Sequence, residues 1–517
     1  MSHGFLRNTT IVGLLTLLSR ITGVIRDMVY LITFGAGPLM DAFLVAFKIP
    51  NFMRRLTAEG AFSQAFVPVI SEYKVQKSHD EVRELVAGVS GVFGLILFAI
   101  TLVGVIAAPV ITYLFAPGFH DESRFALTVE MLRFTFPYMF FISLVALGSG
   151  VLNSYNRFAV PALNQTLLNV VMIVSAGVVA PYFTNPGLVL AIGVFAAGAI
   201  QLVAQFPALR RLGLLPRPRF DSAHEGVRRI ARLMLPGIFG SSVAQVSLML
   251  DSIIASFFVV GSVTWLYSAD RLVEFPMGVF SIALATVILP GLASHHSERD
   301  ADKFNTTLDW ALRLTFTVVV PAAIGLLMLS GPLIATIFGY GEFTRRDVLM
   351  CGYALMAYSF GLFGFSMVKV LAPGYFARQD TRTPVKVGLI AFSTNMAFNV
   401  AVVVPAFLLG FPYPHVLLAV STGLSALINS SLLFRGLRRE GFLRPSPAWR
   451  KLLPRIAVAS LAMAAFLWWI SGDWAAWSDW SATRRVAWLG ISVTGGIGVY
   501  FGVLALAGMR PRDLKHL

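Results

Sequence analysis

Arg20, Arg26, Lys48, Arg54, Arg55 and Arg271 fall inside stretches otherwise apolar enough to cross a bilayer, the densest being SRITGVIRD and then DAFLVAFKIPNFMRRLTAEGAFSQAF. Each such charge costs about 2.5 to 3.5 kcal/mol at a helix centre on insertion scales, so these side chains are expected to turn from lipid towards a polar cavity. A cluster of cations at that depth suits an anionic passenger. Arginine presents a planar fork that matches phosphate oxygens two at a time. Three forks from separate helices would suit a diphosphate and would exceed what a neutral drug or a single carboxylate requires.

Spacing assigns these groups to faces. Arg20 and Asp27 are seven apart and share a helix face, while Arg26 projects about a third of a turn away. Asp41, Lys48 and Arg55 repeat at sevens, Arg55 and Glu59 stand at i,i+4, and Asn51 precedes Arg54 by one turn. In WLYSADRLVEFP, Arg271 and Glu274 stand at i,i+3 and Asp270 and Glu274 at i,i+4; Lys369 adds a charge further on. The competing reading is a set of buried ion pairs that only fix helix packing, since acids such as Asp251 and Asp309 lie in the same apolar stretches.

The elements that carry these residues follow from composition. Hydrophobic residues make up 56% of the 517, with 44 glycines besides, against about 45 to 50% for soluble domains counted with glycine. The chain therefore reads as an all-α polytopic membrane protein. Windows of about 20 apolar residues span a bilayer as helix, and fourteen can be drawn: 9–31, 40–72, 85–109, 126–151, 160–182, 188–208, 231–258, 262–293, 307–330, 349–376, 385–409, 414–434, 453–471 and 486–508. The two longest could each hide a break, and Pro50, Pro137, Pro236, Pro290 and Pro373 mark kinks that membrane helices tolerate where neighbours satisfy the freed backbone.

Loop charge supports that count. With the amino terminus inside, one side of the membrane collects 27 lysines and arginines and the other only five. By the positive-inside rule both termini are expected in the cytoplasm. The basic excess thus reads as topology and contact with anionic lipid rather than as nucleic-acid binding. Cys351 is the single cysteine, which excludes a disulfide within the chain; it reads as apolar filler. His295 and His296 lack a third ligand nearby, so a metal site is not expected. No P-loop, GxSxG or HExxH pattern is present, so an enzyme is not expected, and net pumping would need an external energy source.

The segments SRITGVIRD, DAFLVAFKIPNFMRRLTAEGAFSQAFVP, YSADRLVEFP and KVLAPGYFARQDTRTPVK closely resemble the MurJ (MviN) family of lipid II flippases, within the multidrug/oligosaccharidyl-lipid/polysaccharide exporter superfamily. The resemblance runs from about residue 5 to the end. It implies about 14 transmembrane helices in two pseudo-symmetric lobes, 1–220 and 221–445, around a central cavity. A C-terminal helix pair, 446–517, would form a groove for the lipid tail. It also implies a substrate site in which Arg26, Arg54 and Arg271 grip the diphosphate, Arg20 and Asp41 are further essential charges, and Asn51, Glu59 and Glu274 are polar partners. Lys48 and Lys369 match basic positions of the pattern.

The expected function is translocation of lipid II, the undecaprenyl-diphosphate-linked disaccharide pentapeptide of peptidoglycan synthesis, by alternating access. The driver would be membrane potential or an ion gradient, in the bacterial cytoplasmic (inner) membrane. No organic cofactor is expected. Asp251, Asn395, Asn399 and Thr422 are candidates for a monovalent cation, Na+ or H+, with plain interhelical hydrogen bonding as the alternative. Membrane lipids and cell-wall synthesis enzymes are candidate partners. A generic polyprenyl-sugar or multidrug exporter of the same superfamily is the alternative function, and a non-transport scaffold for cell-wall enzymes a third.

Overall fold

Helices and their connecting turns, with no strand, make up the described residues. The computed structural model describes residues 3–55, 62–119 and 122–510, with side chains over the same ranges apart from 3–11, 64, 122 and 235–248. By its contacts the chain divides into unit 1, Met1–Val263, and unit 2, Thr264–Leu517.

Unit 1 holds α1 (His3–Phe34), α2 (Pro38–Arg54), α3 (Ser63–Gln76), α4 (His79–Ile106), α5 (Ala108–Phe115), α6 (Glu122–Thr135), α7 (Tyr138–Ser154), α8 (Ala159–Val174), α9 (Pro186–Arg211) and α10 (Glu225–Ser256). Unit 2 is entered on α11 (Ser262–Pro276) and continues with α12 (Ile282–Ser297), α13 (Ala301–Met328), α14 (Ser330–Ile337), α15 (Arg345–Phe376), α16 (Arg382–Phe398), α17 (Val404–Leu408), α18 (Pro414–Arg439), α19 (Trp449–Ser471), α20 (Trp474–Trp477) and α21 (Ala482–Leu506).

Among the described residues eleven helical runs are long and apolar enough to cross a membrane, and they coincide with eleven of the fourteen sequence windows. Two of the other windows lie on α1 and α10, each of 32 residues, about 48 Å of helix at 1.5 Å per residue. The window 40–72 is divided: α2 ends at Arg54 and α3 begins at Ser63, with residues 56–61 outside the described set. The other long window is also interrupted, because Pro276 is followed by a π-helical turn, Met277–Ser281, before α12 resumes. Further π turns occur at Ser175–Val179 and Asn399–Val403, a local widening of the helix frequently found at functional positions.

Local sequence explains where helices start. Ser78 and Glu81 close a capping box on α4, and Thr344 and Asp347 do the same on α15, each satisfying backbone N–H groups that the first turn leaves open. Proline opens α2, α9 and α18, where its missing N–H is harmless.

Packing in unit 2 relies on small residues where membrane helices must approach closely. A Cβ on Gly361 of α15 would stand 2.5 Å from the Cα of Gly423 on α18, and one on Gly364 would stand 2.6 Å from the backbone nitrogen of Leu427. Further along the same two helices Phe304, Leu308 and Leu312 of α13 pack with Leu371 and Tyr375 of α15 and with Leu437 of α18. The C-terminal pair α19 and α21 packs through Met463, Leu467, Tyr500 and Leu504. It is tied to α13 where the Tyr500 hydroxyl donates to the Thr317 carbonyl at 2.8 Å. The Trp449 indole likewise donates to Asp309 at 2.6 Å.

Candidate functional site

In unit 1 the first arginine of interest is buried. Arg26 is 5% exposed on α1, and its Nε and Nη2 donate to Oδ1 of the adjacent Asp27 at 3.0 and 2.7 Å. Nη1 donates to Oδ1 of Asn169 on α8 at 3.0 Å, and the Tyr30 ring lies 5.5 Å from the guanidinium carbon. Asn169 is itself aimed, since its Nδ2 donates to the Ser19 carbonyl at 2.9 Å and to Thr22 Oγ1 at 3.1 Å. The Asp27 carboxylate, the Asn169 amide and the Tyr30 ring thus all bear on the guanidinium. Arg20, a turn and a half earlier, is half-buried.

The heptad spacing on α2 has a definite physical outcome. Asp41 is 1% exposed, and its Oδ2 accepts from the Gly261 backbone N–H at 2.7 Å, in the turn after α10. Gly261 has φ +96°, a conformation that favours glycine. One heptad later the Lys48 ammonium donates to Ser252 Oγ of α10. These two α2 charges therefore face the C-terminal half of α10. On the next turn Arg54 Nε donates to Asn51 Oδ1 at 2.9 Å, and both residues are half-buried. Arg55 is exposed, whereas Glu59 lies outside the described residues.

In unit 2 Arg271 Nη1 meets Glu274 Oε2 at 2.8 Å, the i,i+3 pair of the sequence, and its guanidinium carbon lies 5.0 Å from the Tyr267 ring centroid. The two side chains are 37% and 41% exposed, so the pair stays open to a ligand or to solvent. Asp270 is exposed, as is Lys369 on α15. By contrast, Asp309 and Arg313 form an ion pair at 3.1 Å with side chains only 4% and 20% exposed. Asp309 also accepts from Trp449 and from the Ser446 backbone N–H, so this pair fastens the segment before α19. Here the packing reading of intramembrane charge applies.

The polar residues of α16 and α18 interlock. Asn395 Nδ2 donates to Ser421 Oγ at 3.1 Å, and Asn399 Nδ2 donates to Asn395 Oδ1 at 3.2 Å. Thr422 Oγ1 donates to the Leu418 carbonyl of its own helix at 3.0 Å. The partner that sequence reasoning missed is Ser421, next to Thr422. Asn399 Oδ1 is buried without a hydrogen-bond partner among the described residues, an oxygen of the kind a hard monovalent cation takes. Asp251 belongs to unit 1, on α10. No cluster of three or more His, Cys, Asp or Glu that could hold a metal occurs among the described residues. His296 instead packs on Phe304 and Phe442, and Cys351 is buried against the Trp265 carbonyl.

This architecture, a chain of apolar helices with ionisable side chains among them, is that of a multi-pass membrane protein. An inward-facing multidrug resistance MATE family transporter of the MOP superfamily shares the fold, with TM-score 0.65 at 15% identity over 83% of this chain and 97% of that one. A family model described as "Lipid II flippase MurJ" matches residues 31–487, and the chain belongs to that family. A solved lipid II flippase MurJ in an inward closed conformation superposes with TM-score 0.77 at 25% identity, covering 98% and 99% of the two chains. Similar relatives are a probable lipid II flippase MurJ of Vibrio cholerae, 41% identical over 100% of this chain and 98% of that protein, and a lipid II flippase MurJ of Burkholderia cenocepacia, 40% identical over 96% of each.

Proposed function

We propose that this chain moves lipid II from the cytoplasmic to the periplasmic leaflet of the inner membrane by alternating access between two lobes, with both termini in the cytoplasm. The reading is supported by a set of arginines carried on apolar helices, in a chain whose relatives over its full length are named for this activity. Arg26 is buried and aimed by Asp27 and Asn169, and Arg271 is braced by Glu274 yet still accessible. Arg26, Arg54 and Arg271 grip the diphosphate, Arg20 adds charge, and Asn51, Glu59, Glu274, Lys48 and Lys369 supply further polar contacts. Asp41 acts by holding the turn at Gly261.

Binding of the diphosphate neutralises the cationic site, so the loaded carrier closes more readily than the empty one; only such a difference in affinity between two states can drive a switch. A potential negative inside acts on the emptied site with about 2.3 kcal/mol per elementary charge per 100 mV and draws it back towards the loading side. The oxygens of Asn395 and Asn399 would hold a monovalent cation, with Asp251 and Thr422 as the further candidates; such an ion would supply coupling energy.

The test is replacement in living cells. Bacteria depleted of their own flippase and supplied with this chain should grow, and lipid II should become accessible from outside. Growth failure with correct membrane insertion would remove the proposal. A multidrug exporter would instead lower drug sensitivity without exposing lipid II.

A further inference from the structure

A cavity of about 410 Å³ lies in unit 1 between α4, α7 and α9, closed at one end by the chain that follows α9. Its volume falls within the roughly 300 to 1,000 Å³ of small-molecule sites, and its walls are apolar, Leu95, Phe98, Phe140, Leu144 and Phe206 among them. Leu95 and Phe98 are 55% and 57% exposed, so the opening lies on helix surface that a bilayer would cover.

The closing strap reads Pro-Arg-Pro-Arg-Phe. Pro216, Pro218 and Phe220 border the cavity, with Pro216 half-buried and Pro218 and Phe220 open on their outer side, and Arg217 and Arg219 between them are exposed. The strap is fixed in place. The Arg219 backbone N–H donates to the Ala87 carbonyl at 3.0 Å, and a Cβ on Gly91 would stand 2.1 Å from the Arg219 carbonyl oxygen, so only glycine admits this approach. The Arg219 guanidinium lies 3.9 Å from Glu84, with both side chains well exposed, an ion pair too open to retain it against a better partner. Arg210 and Arg211 end α9 directly after the lining residue Leu209.

We propose that this cavity binds an anionic glycerophospholipid, one acyl chain entering between α4, α7 and α9 while the headgroup phosphate meets Arg217 and Arg219. An apolar interior offers nothing to a sugar or a peptide, and the cationic rim selects an anionic headgroup over a zwitterionic one. Depth agrees, because the α9 lining from Leu202 to Leu209 covers about 11 Å of helix, within one leaflet of a hydrocarbon core roughly 30 Å thick. The site is separate from the diphosphate-binding arginines, so its failure would leave the flippase reading untouched.

The full-length protein in phosphatidylcholine nanodiscs is titrated with phosphatidylglycerol carrying a photoactivatable acyl chain, and with phosphatidylcholine carrying the same chain; cross-linked peptides are then mapped. The phosphatidylglycerol probe should mark α4, α7 and α9 in preference to its counterpart. Arg217→Ala with Arg219→Ala should weaken that labelling about 25-fold, roughly fivefold per arginine. Gly94→Phe should abolish it by filling the cavity, since a Cβ there has its nearest neighbour 4.0 Å away at Leu144. Equal labelling by both headgroups, labelling unchanged in the arginine variant, or cross-links joining two protein copies at this face would each overturn the proposal. The arginine variant alters only exposed side chains and decides the matter even if Gly94→Phe misfolds.

Discussion

Replacing Arg26 by methionine should destabilise the protein strongly, and the cause should be the charge left behind. Arg26 and Asp27 are each 5% exposed, and the guanidinium donates twice to Asp27 and once to Asn169 among its contacts. Asn169 would lose little, because its amide still donates to Ser19 and Thr22. Asp27 would be left as a buried carboxylate without its fork, and breaking a buried pair by removing one partner costs about 3 to 5 kcal/mol. Arg26→Met with Asp27→Leu removes both charges and should recover most of that loss, giving a coupling near the top of the roughly 0.5 to 3 kcal/mol range for contacting residues. Denaturant unfolding in detergent, run on wild type, both single variants and the double, measures the cycle. Additivity within about 0.5 kcal/mol would refute the pair as an energetic unit. The double variant also separates folding from transport: it should fold yet fail to sustain growth of flippase-depleted cells.

Other outcomes follow from the same geometry. Arg271→Ala removes a half-exposed pair worth about 1 kcal/mol or less, so it should leave the melting temperature nearly unchanged while abolishing growth support; a growing strain would contradict its role. Gly361→Val should force α15 from α18, where only 2.5 Å separates an added Cβ from the Gly423 Cα, and overpacking of this kind costs about 1 to 3 kcal/mol, readable as a lower unfolding midpoint. Asp300 caps α13, and the Lys303 backbone N–H, followed by its side chain, holds its carboxyl below the usual carboxylate range. Its stabilisation is therefore complete above the unfolded value, about 3.9, and is lost as pH falls through the lower folded value. Asp300→Ala should melt earlier than wild type at pH 7, with the gap closing on strong acidification; a gap that widens would be the wrong sign.

Much of this was legible in the sequence wherever a property is local. Apolar windows of membrane length recur as helices, and Arg271 with Glu274 meets at the spacing that a helix surface dictates. What escaped is what depends on chain distant in sequence or on choice of rotamer. Arg26 turns to its immediate neighbour Asp27 rather than along the helix, and its third acceptor, Asn169, comes from α8 with no signal beyond a polar residue in an apolar run. The sevens of Asp41 and Lys48 suggested a cavity wall, whereas their partners Gly261 and Ser252 belong to the α10 end, which spacing within α2 cannot reveal. The strap over Gly91 is a basic stretch in sequence, and only packing shows that its prolines border a cavity.

The central claim, that intramembrane arginines carry a diphosphate-linked lipid across the bilayer, is tested most directly with purified protein in vesicles. Fluorescent lipid II and the matching undecaprenyl monophosphate sugar are each placed in one leaflet, and their arrival in the other is timed for wild type and for Arg271→Ala. The account predicts rapid movement of the diphosphate lipid by wild type, slow movement of the monophosphate, and loss of the difference in the variant. Equal rates for both lipids, or an undiminished rate in Arg271→Ala, would contradict it.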